Sequence, residues 1–333
     1  MASDTSVTLF IWPGAWGLPS VDPTCLSTVI YLQLTIPGRF TIIESVNPDV
    51  SPTGQFPFLK HADKAFAPFS AIMEYVSTLQ EDRESRLDAS LTMLQKSQQV
   101  AWLAHAESNL GDLVAHMLYA LHANWTELTH PSTVHDYPFP AKYYSPRRIR
   151  ESLRPRLESA GLWTLPGIEQ EKKETTFKFR RDEKKEEVKP RDRFLRVFER
   201  EKVLEKARSI LDIYARLLGD SAFFHGDRPT SLDVVVAAHV ALLVHPPFPD
   251  PLLQELLQNS YPDLVSHSER IYTQIKDSQI PTRRASKTDS LSSLLPNMSD
   301  TDDVWLIRLR WAYLGLTLGG IVAYTASAIS RRQ

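Results

Sequence analysis

The chain has a single cysteine, Cys25, in 333 residues. It can form no internal disulfide, and one thiolate cannot build a cysteine-based zinc site. Both points suit a reducing compartment. An excess of one charge is also missing. Lys and Arg number 38 against 40 Asp and Glu, a formal net charge of −2, so no global field attracts nucleic acid. Basic residues are absent from the start of the chain: Met1 to Phe10 include Asp4 but no Lys or Arg, and the first Arg is Arg39. That pattern predicts neither a secretory n-region nor an Arg-rich mitochondrial presequence. Nucleotide and hydrolase signatures are lacking too, with no G-x-x-x-x-G-K-[ST], H-E-x-x-H or G-x-S-x-G. The 10 histidines are scattered without metal-ligand spacing, so no metal and no cofactor is expected. Hydrophobic residues make up 42% and charged residues 23%, with a mean hydropathy of −0.26. These averages exclude a polytopic membrane protein and a disordered one. The length suits one large or two modest domains.

Long apolar runs are scarce, with one exception. Trp311 to Ile329, WAYLGLTLGGIVAYTASAI, carries no charge over 19 residues. A helix of that length spans about 28 Å, close to the ~30 Å hydrocarbon core. Arg308 and Arg310 flank it on one side, Arg331 and Arg332 on the other. Residues 304–333 are therefore expected to form a C-terminal transmembrane helix, with Trp311 as an interfacial aromatic and Ile329 near its far end. Gly315 and Gly319 are spaced as G-x-x-x-G, which lets helices approach closely. A span so placed inserts after synthesis and leaves the bulk of the chain on the cytosolic face. Its modest hydrophobicity and basic tail suit the mitochondrial outer membrane. A buried core helix would be shorter and would lack the flanking Arg pairs.

Elsewhere the pattern alternates between short strands and amphipathic helices. Residues 7–12, VTLFIW, read as a strand. Pro23 to Leu34 reads as a helix with Asp22 as N-cap and Pro23 at its first position. Residues 40–45 read as a second strand, Phe56 to Lys60 as a third, and Pro68 to Leu79 as a second helix. Within residues 1–80 this order is that of a thioredoxin-like domain. Pro57 stands where that domain places a cis proline, the one bond type where cis is cheap.

From residue 81 to 281 the pattern is helical. Leu91 to His122 places Val100, Leu103, Leu110, Leu113, Val114, Met117, Leu118 and Leu121 at helical spacing. An aromatic, proline-rich connection follows, Tyr137 to Pro146, and then a helix from Arg147 to Leu162. Residues 169–187 are a mixed charge run, read as a solvated insertion. Phe194 to Leu218 reads as an amphipathic helix ending at Gly219. Asp233 to Val244, DVVVAAHVALLV, is apolar all round but too short to span a bilayer, so it is expected as a buried core helix holding His239 as a satisfied core histidine. Residues 282–303, polar and rich in Ser and Asp, read as a flexible tether.

The most specific motif is Phe223 to Asp233, FFHGDRPTSLD. Thr230 and Asp233 form an N-capping box in front of the apolar helix, where water cannot satisfy the first N–H groups. This arrangement resembles the buried capped helix of the glutathione S-transferase (GST) C-terminal domain. Phe69-Ser70-Ala71-Ile72 resembles the S-x-I element whose serine holds glutathione in that fold. The expected fold class is α/β plus all-α: GST-like, with a thioredoxin-like N-terminal domain, a helical C-terminal domain and a C-terminal transmembrane helix.

Transferase chemistry needs a hydroxyl or thiol at the start of the first helix to stabilise the glutathione thiolate. Trp12 to Ser20 contains no Tyr, Ser20 sits in a proline-rich turn, Cys25 falls inside the helix, and Trp12 and Trp16 would crowd a tripeptide. No catalytic residue is therefore expected.

The string Leu9 to Leu32 is similar to the opening of the metaxins, on Gly17, Leu18, Pro19, Ser20, Asp22, Cys25 and Leu26. Gly54 to Leu59, Tyr137 to Tyr144 and Phe223 to Asp233 extend the resemblance over nearly the whole chain. It fits best the anchored class, related to the larger metaxin-type subunit of the fungal sorting and assembly machinery. The resemblance implies a non-catalytic subunit on the cytosolic face of the mitochondrial outer membrane. Its implied partners are a second metaxin-type subunit, a β-barrel core subunit, β-barrel precursors and outer-membrane lipid, with no nucleic acid. Two other readings remain open at this point: a tail-anchored glutathione transferase-like enzyme, and an outer-membrane adaptor for transport or contact sites.

Overall fold

The computed structural model describes residues 7–80, 86–163, 190–276 and 280–285, with 308–309, 311–313, 315–317 and 319–320. The chain divides into two compact units, Met1–Ala285 and Ser286–Gln333. The charge run at 169–187 lies outside the described residues, as does the tether from 286 to 303.

The first unit begins with β1 (Val7–Ile11), whose residues alternate between buried and half-buried as expected of a β-branched and aromatic run. α1 (Pro23–Thr35) follows, capped by Asp22, whose carboxylate accepts the Cys25 N–H at 2.8 Å. β2 (Phe40–Glu44) pairs in parallel with β1, so Leu9 faces Ile42 across the ladder. β3 (Phe58–His61) is antiparallel to β1, and β4 (Lys64–Phe66) antiparallel to β3. α2 (Phe69–Leu79) completes this half. The sheet order is β4-β3-β1-β2-β5, with β5 formed by Thr282–Arg284.

Two of these strands depart from the sequence reading. β4 arises from a tight turn at His61-Ala62-Asp63-Lys64, with Ala62 at φ 51°, a turn that carries no glycine or asparagine to announce it. β5 (Thr282–Arg284) belongs to the segment expected as tether. It instead lies parallel to β2, Ile43 opposite Arg283, and is fastened by Arg284 Nε to Glu44 Oε2 at 2.9 Å. The compact unit accordingly runs to Ala285 and takes in both the thioredoxin-like and the helical parts.

The helical part starts at α3 (Met93–His105), closed by a Thr92–Gln95 capping box. The helical path continues through π turns at Ala106–Leu110 and His116–Ala120, on either side of α4 (Gly111–Ala115), until Leu121 turns extended at ψ 120°. Val100, expected on the buried face, is 69% exposed. The π turns rotate the apolar face, so a strict 3.6-residue count misassigns one position. A short helical stretch, His122–Asn124 running into a π turn at Trp125–Thr129, leads to α5 (His130–Asp136). α6 (Ser145–Ser159), α7 (Pro190–Leu218), α8 (Ser231–Val244), α9 (Leu252–Ser260) and α10 (Pro262–Lys276) follow.

The core centres on two helices buried on every side. In α1, Cys25 through Leu32 are all buried; in α8, Ser231 through Leu243 are. α8 packs against both α1 and α10, so it joins the two halves. Each fully buried Val, Leu or Ile contributes roughly 1.5–3 kcal/mol, which makes this pair of helices the main source of stability.

In the second unit the described helical residues lie between 308 and 320 and include Trp311, Gly315 and Gly319. Ile329 lies outside the described residues. No helix among the described residues is long and apolar enough to cross a membrane. The expected transmembrane helix is thus not among the described helices.

The loop from β1 to α1 has no room for change at Gly14. A Cβ there would stand 2.4 Å from Leu18 O and 2.8 Å from Pro19 O, both backbone atoms. Gly14→Ala should therefore lower stability by roughly 1–3 kcal/mol, read as a fall in the urea midpoint. An unchanged midpoint would refute this packing.

Candidate functional site

A cleft of about 260 Å³ lies between the β1–α1 loop and the helical layer. Trp12, Pro13 and Val21 to Thr24 form one wall; Gly111, Val114, Leu118 and Tyr119 form the facing wall, with Asp136 and Arg156 at the rim. The loop wall is held from several sides. Gly14 N–H donates to Glu44 Oε1 at 3.3 Å, Val21 N–H to Pro13 O at 3.2 Å, and the Tyr272 hydroxyl to Gly17 O at 2.8 Å. Trp12 stands edge-on to Phe56, ring centroids 5.1 Å apart. The wall is rigid and aromatic rather than open to a peptide backbone.

Asp136 and Arg156 at the rim are both paired. Arg156 Nε lies 2.6 Å from Asp112 Oδ1. Arg284 reaches from β5 to Glu44 of β2 and, through Nη1, to Asp136 Oδ1 at 3.2 Å. That bridge joins the sheet edge to the helical layer. The sequence reading missed it, since three exposed residues, TRR, carry no strand pattern and only the fold brings Arg284 to Glu44.

Among the described residues, the hydroxyls and the thiol singled out in the sequence are not placed as thiolate activators. Ser20 is fully buried, and its Oγ accepts the Asp22 N–H at 3.3 Å. Cys25 is fully buried, and burial, then the Asp22 charge, pushes its thiol well above the ordinary range. Ser70 sits exposed on the first turn of α2. Tyr119 and Tyr137 both line the cleft. Burial, then the nearby Asp22, keeps the Tyr119 phenol protonated; burial, then Asp136, pushes Tyr137 up to about 12. Among the described residues no group of three or more His, Cys, Asp or Glu is placed to hold a metal ion. The surroundings keep the Tyr119 and Tyr137 phenols protonated.

The other residues singled out in the sequence have structural positions. The Phe56–Pro57 bond is cis, as are Ala67–Pro68 and Phe139–Pro140, and Pro57 is buried just before β3. Asp233 is fully buried. Its Oδ2 accepts the Thr230 N–H at 2.8 Å and the Thr230 hydroxyl at 2.6 Å. Its Oδ1 accepts the Phe224 N–H at 2.9 Å and lies 2.8 Å from His267 Nε2. A second carboxylate, Asp88, accepts the Ser231 N–H and hydroxyl, each at 2.9 Å, and Gln99 Nε2 at 2.8 Å. The start of α8 is thus tied to α3 and α10. His239 is buried, with Nδ1 2.7 Å from Val235 O, and burial lowers its pKa to about 4.

Comparison with known proteins agrees with this geometry. Residues 25–150 match a family described as outer mitochondrial membrane transport complex protein, and residues 207–271 match the glutathione S-transferase C-terminal domain. Metaxin-1 of Mus musculus is 27% identical over 250 residues, covering 75% of this chain and 69% of that protein. The Metaxin-1 homolog of Caenorhabditis briggsae is 26% identical, covering 84% of this chain and 78% of that one. Metaxin-3 of Xenopus laevis is 25% identical, covering 70% and 65%. Among solved structures, a glutathione S-transferase of Ceriporiopsis subvermispora in complex with glutathione superposes with a TM-score of 0.52 at 17% identity, over 81% of this chain and 98% of that chain. The fold is GST-like, with a thioredoxin-like half and a helical half. Over about three quarters of its length the chain is similar to the metaxins.

Proposed function

We propose that the protein is a non-catalytic subunit of the protein-import apparatus of the mitochondrial outer membrane. More specifically, it serves the sorting and assembly machinery and assists insertion of β-barrel precursors from the cytosolic face. The observation that carries this reading is the similarity to metaxins, together with a cleft walled by Trp12 and the buried, protonated Tyr119 phenol. Its partners in this reading are a second metaxin-type subunit and a β-barrel core subunit. The uncharged segment Trp311 to Ile329 confines the body to the membrane plane, where tethering raises its effective concentration near a barrel partner. The matched family's description, an outer mitochondrial membrane transport complex protein, supports that location.

Depletion should lower assembled porin-type barrels several-fold while import into the matrix stays near normal. Purification in mild detergent should bring down a β-barrel subunit, and the protein should not be retained on immobilised glutathione. Unchanged barrel assembly on depletion would sink the proposal.

A further inference from the structure

Between α5 and the interior of α6 the chain runs Tyr137 to Arg150, YPFPAKYYSPRRIR, with four basic residues and no acidic one. Three of its rings stay outside: Phe139 is 64% exposed, Tyr143 67% and Tyr144 55%. They are held in place. Phe139 and Tyr143 meet edge-on with centroids 6.0 Å apart, and Lys142 Nζ sits 5.2 Å over the Tyr143 ring. A 3-10 turn at Ala141–Tyr143 is closed by the Tyr143 N–H to Pro140 O at 3.1 Å. The Arg148 N–H then donates to Tyr144 O at 3.0 Å, so one helical turn separates ring and guanidinium.

Two of the cations beside these rings carry no ion pair: Arg147 and Arg148 are exposed, and neither has an ion-pair partner among the described residues. Arg150, by contrast, turns inward: its Nε donates to Tyr119 O at 2.7 Å, and its guanidinium lies over Trp125 and Trp163. The nearest acids in sequence are engaged elsewhere, Asp136 with Arg284 and Glu151 with Arg154.

We propose that this corner docks on an anionic lipid surface, with the rings at headgroup depth and the cations on lipid phosphates. Tyr and Phe rings favour the membrane interface, and an anionic leaflet attracts Lys and Arg held within a Debye length. A protein hot spot would surround its anchors with further apolar contacts. No exposed aliphatic side chain accompanies these rings in the segment.

The native chain simplifies the test, because its one thiol, Cys25, is fully buried. Tyr143→Cys in the full chain takes an environment-sensitive fluorophore, with Glu74→Cys, at an exposed position of α2, as the reference site. The labelled chains are brought from mild detergent into vesicles of phosphatidylcholine with phosphatidylinositol, or of phosphatidylcholine alone. The expected result is a blue shift, with quenching by nitroxide lipids, at position 143 in the anionic vesicles only. Adding Arg147→Glu and Arg148→Glu should abolish the shift. A label at 143 as wet as the one at 74 in both vesicles would overturn the proposal. So would an equal shift in both. Shielding in isolated mitochondria but not in protein-free vesicles would assign the corner to a protein and overturn it as well.

Discussion

Asp233→Ala should destabilise the body by roughly 3–5 kcal/mol, the loss expected when a buried, hydrogen-bonded charge is removed and its donors are left unpaired. Total stability of a domain is only about 5–15 kcal/mol, so this one change approaches the unfolding threshold. The carboxylate is fully buried and so is His267, and no solvent can replace the lost acceptor. Two backbone N–H groups, from Phe224 and Thr230, would lose their partner together with the Thr230 hydroxyl and His267. The effect reaches beyond helix capping, because Phe224 belongs to the preceding loop and His267 to α10. Thr230→Ala removes only the hydroxyl and should cost about 1 kcal/mol. Asp233→Asn keeps one acceptor oxygen and should fall between the two. His267→Phe combined with Asp233→Ala should be clearly less than additive, since both changes break one contact. Urea titrations followed by tryptophan fluorescence would measure these four and His267→Phe alone, which completes the cycle. An Asp233→Ala loss no larger than that of Thr230→Ala would refute the hub.

How much of this could be read beforehand depended on how local each signal was. The Asp22 cap before Pro23 and the apolar run of α8 are properties of a few adjacent residues, and the structure shows both where the pattern points. The T-x-x-D spacing likewise lies within one turn of helix. The partners that turn Asp233 into a junction, Phe224 and His267, come from nine and thirty-four residues away. No spacing rule announces them. β5 is the extreme case, pairing with β2 across some 240 residues through an Arg284–Glu44 contact. Its strand character comes from the edge it joins, not from its own side chains. The cleft was half legible. The lack of a tyrosine between Trp12 and Ser20 argued against transferase chemistry from sequence alone, whereas the burial that suppresses Cys25 and Tyr119 is a property of the packed core.

Acidification from neutral pH to about pH 4 should remove stability of roughly 6 kcal/mol, through two histidines buried in the helical half. His116 is buried with Nδ1 2.6 Å from Leu162 O, and burial lowers its pKa to about 4. His239 is lowered to about 4 by the same cause, with Arg156 adding to it. Their carbonyl partners pull in the other direction but do not offset the desolvation of a charged ring. In the unfolded chain both rings titrate near the ordinary value of about 6.5. Between that value and about 4 the unfolded state binds two protons that the folded state refuses, so stability falls as pH falls. Above about 6.5 both rings are neutral in either state and the effect vanishes; below about 4 it is complete. Each pKa unit corresponds to about 1.4 kcal/mol per group, which sets the total. Asp22, whose pKa burial raises, works in the opposite direction and trims the loss at the acid end. Stability measured at several pH values between 4 and 7 should therefore show a slope of about two protons near pH 5.5. His239→Leu should lose one of them, and His116→Asn the other, even where each variant is less stable at neutral pH. A slope unchanged in both variants would place the acid sensitivity elsewhere and refute the assignment.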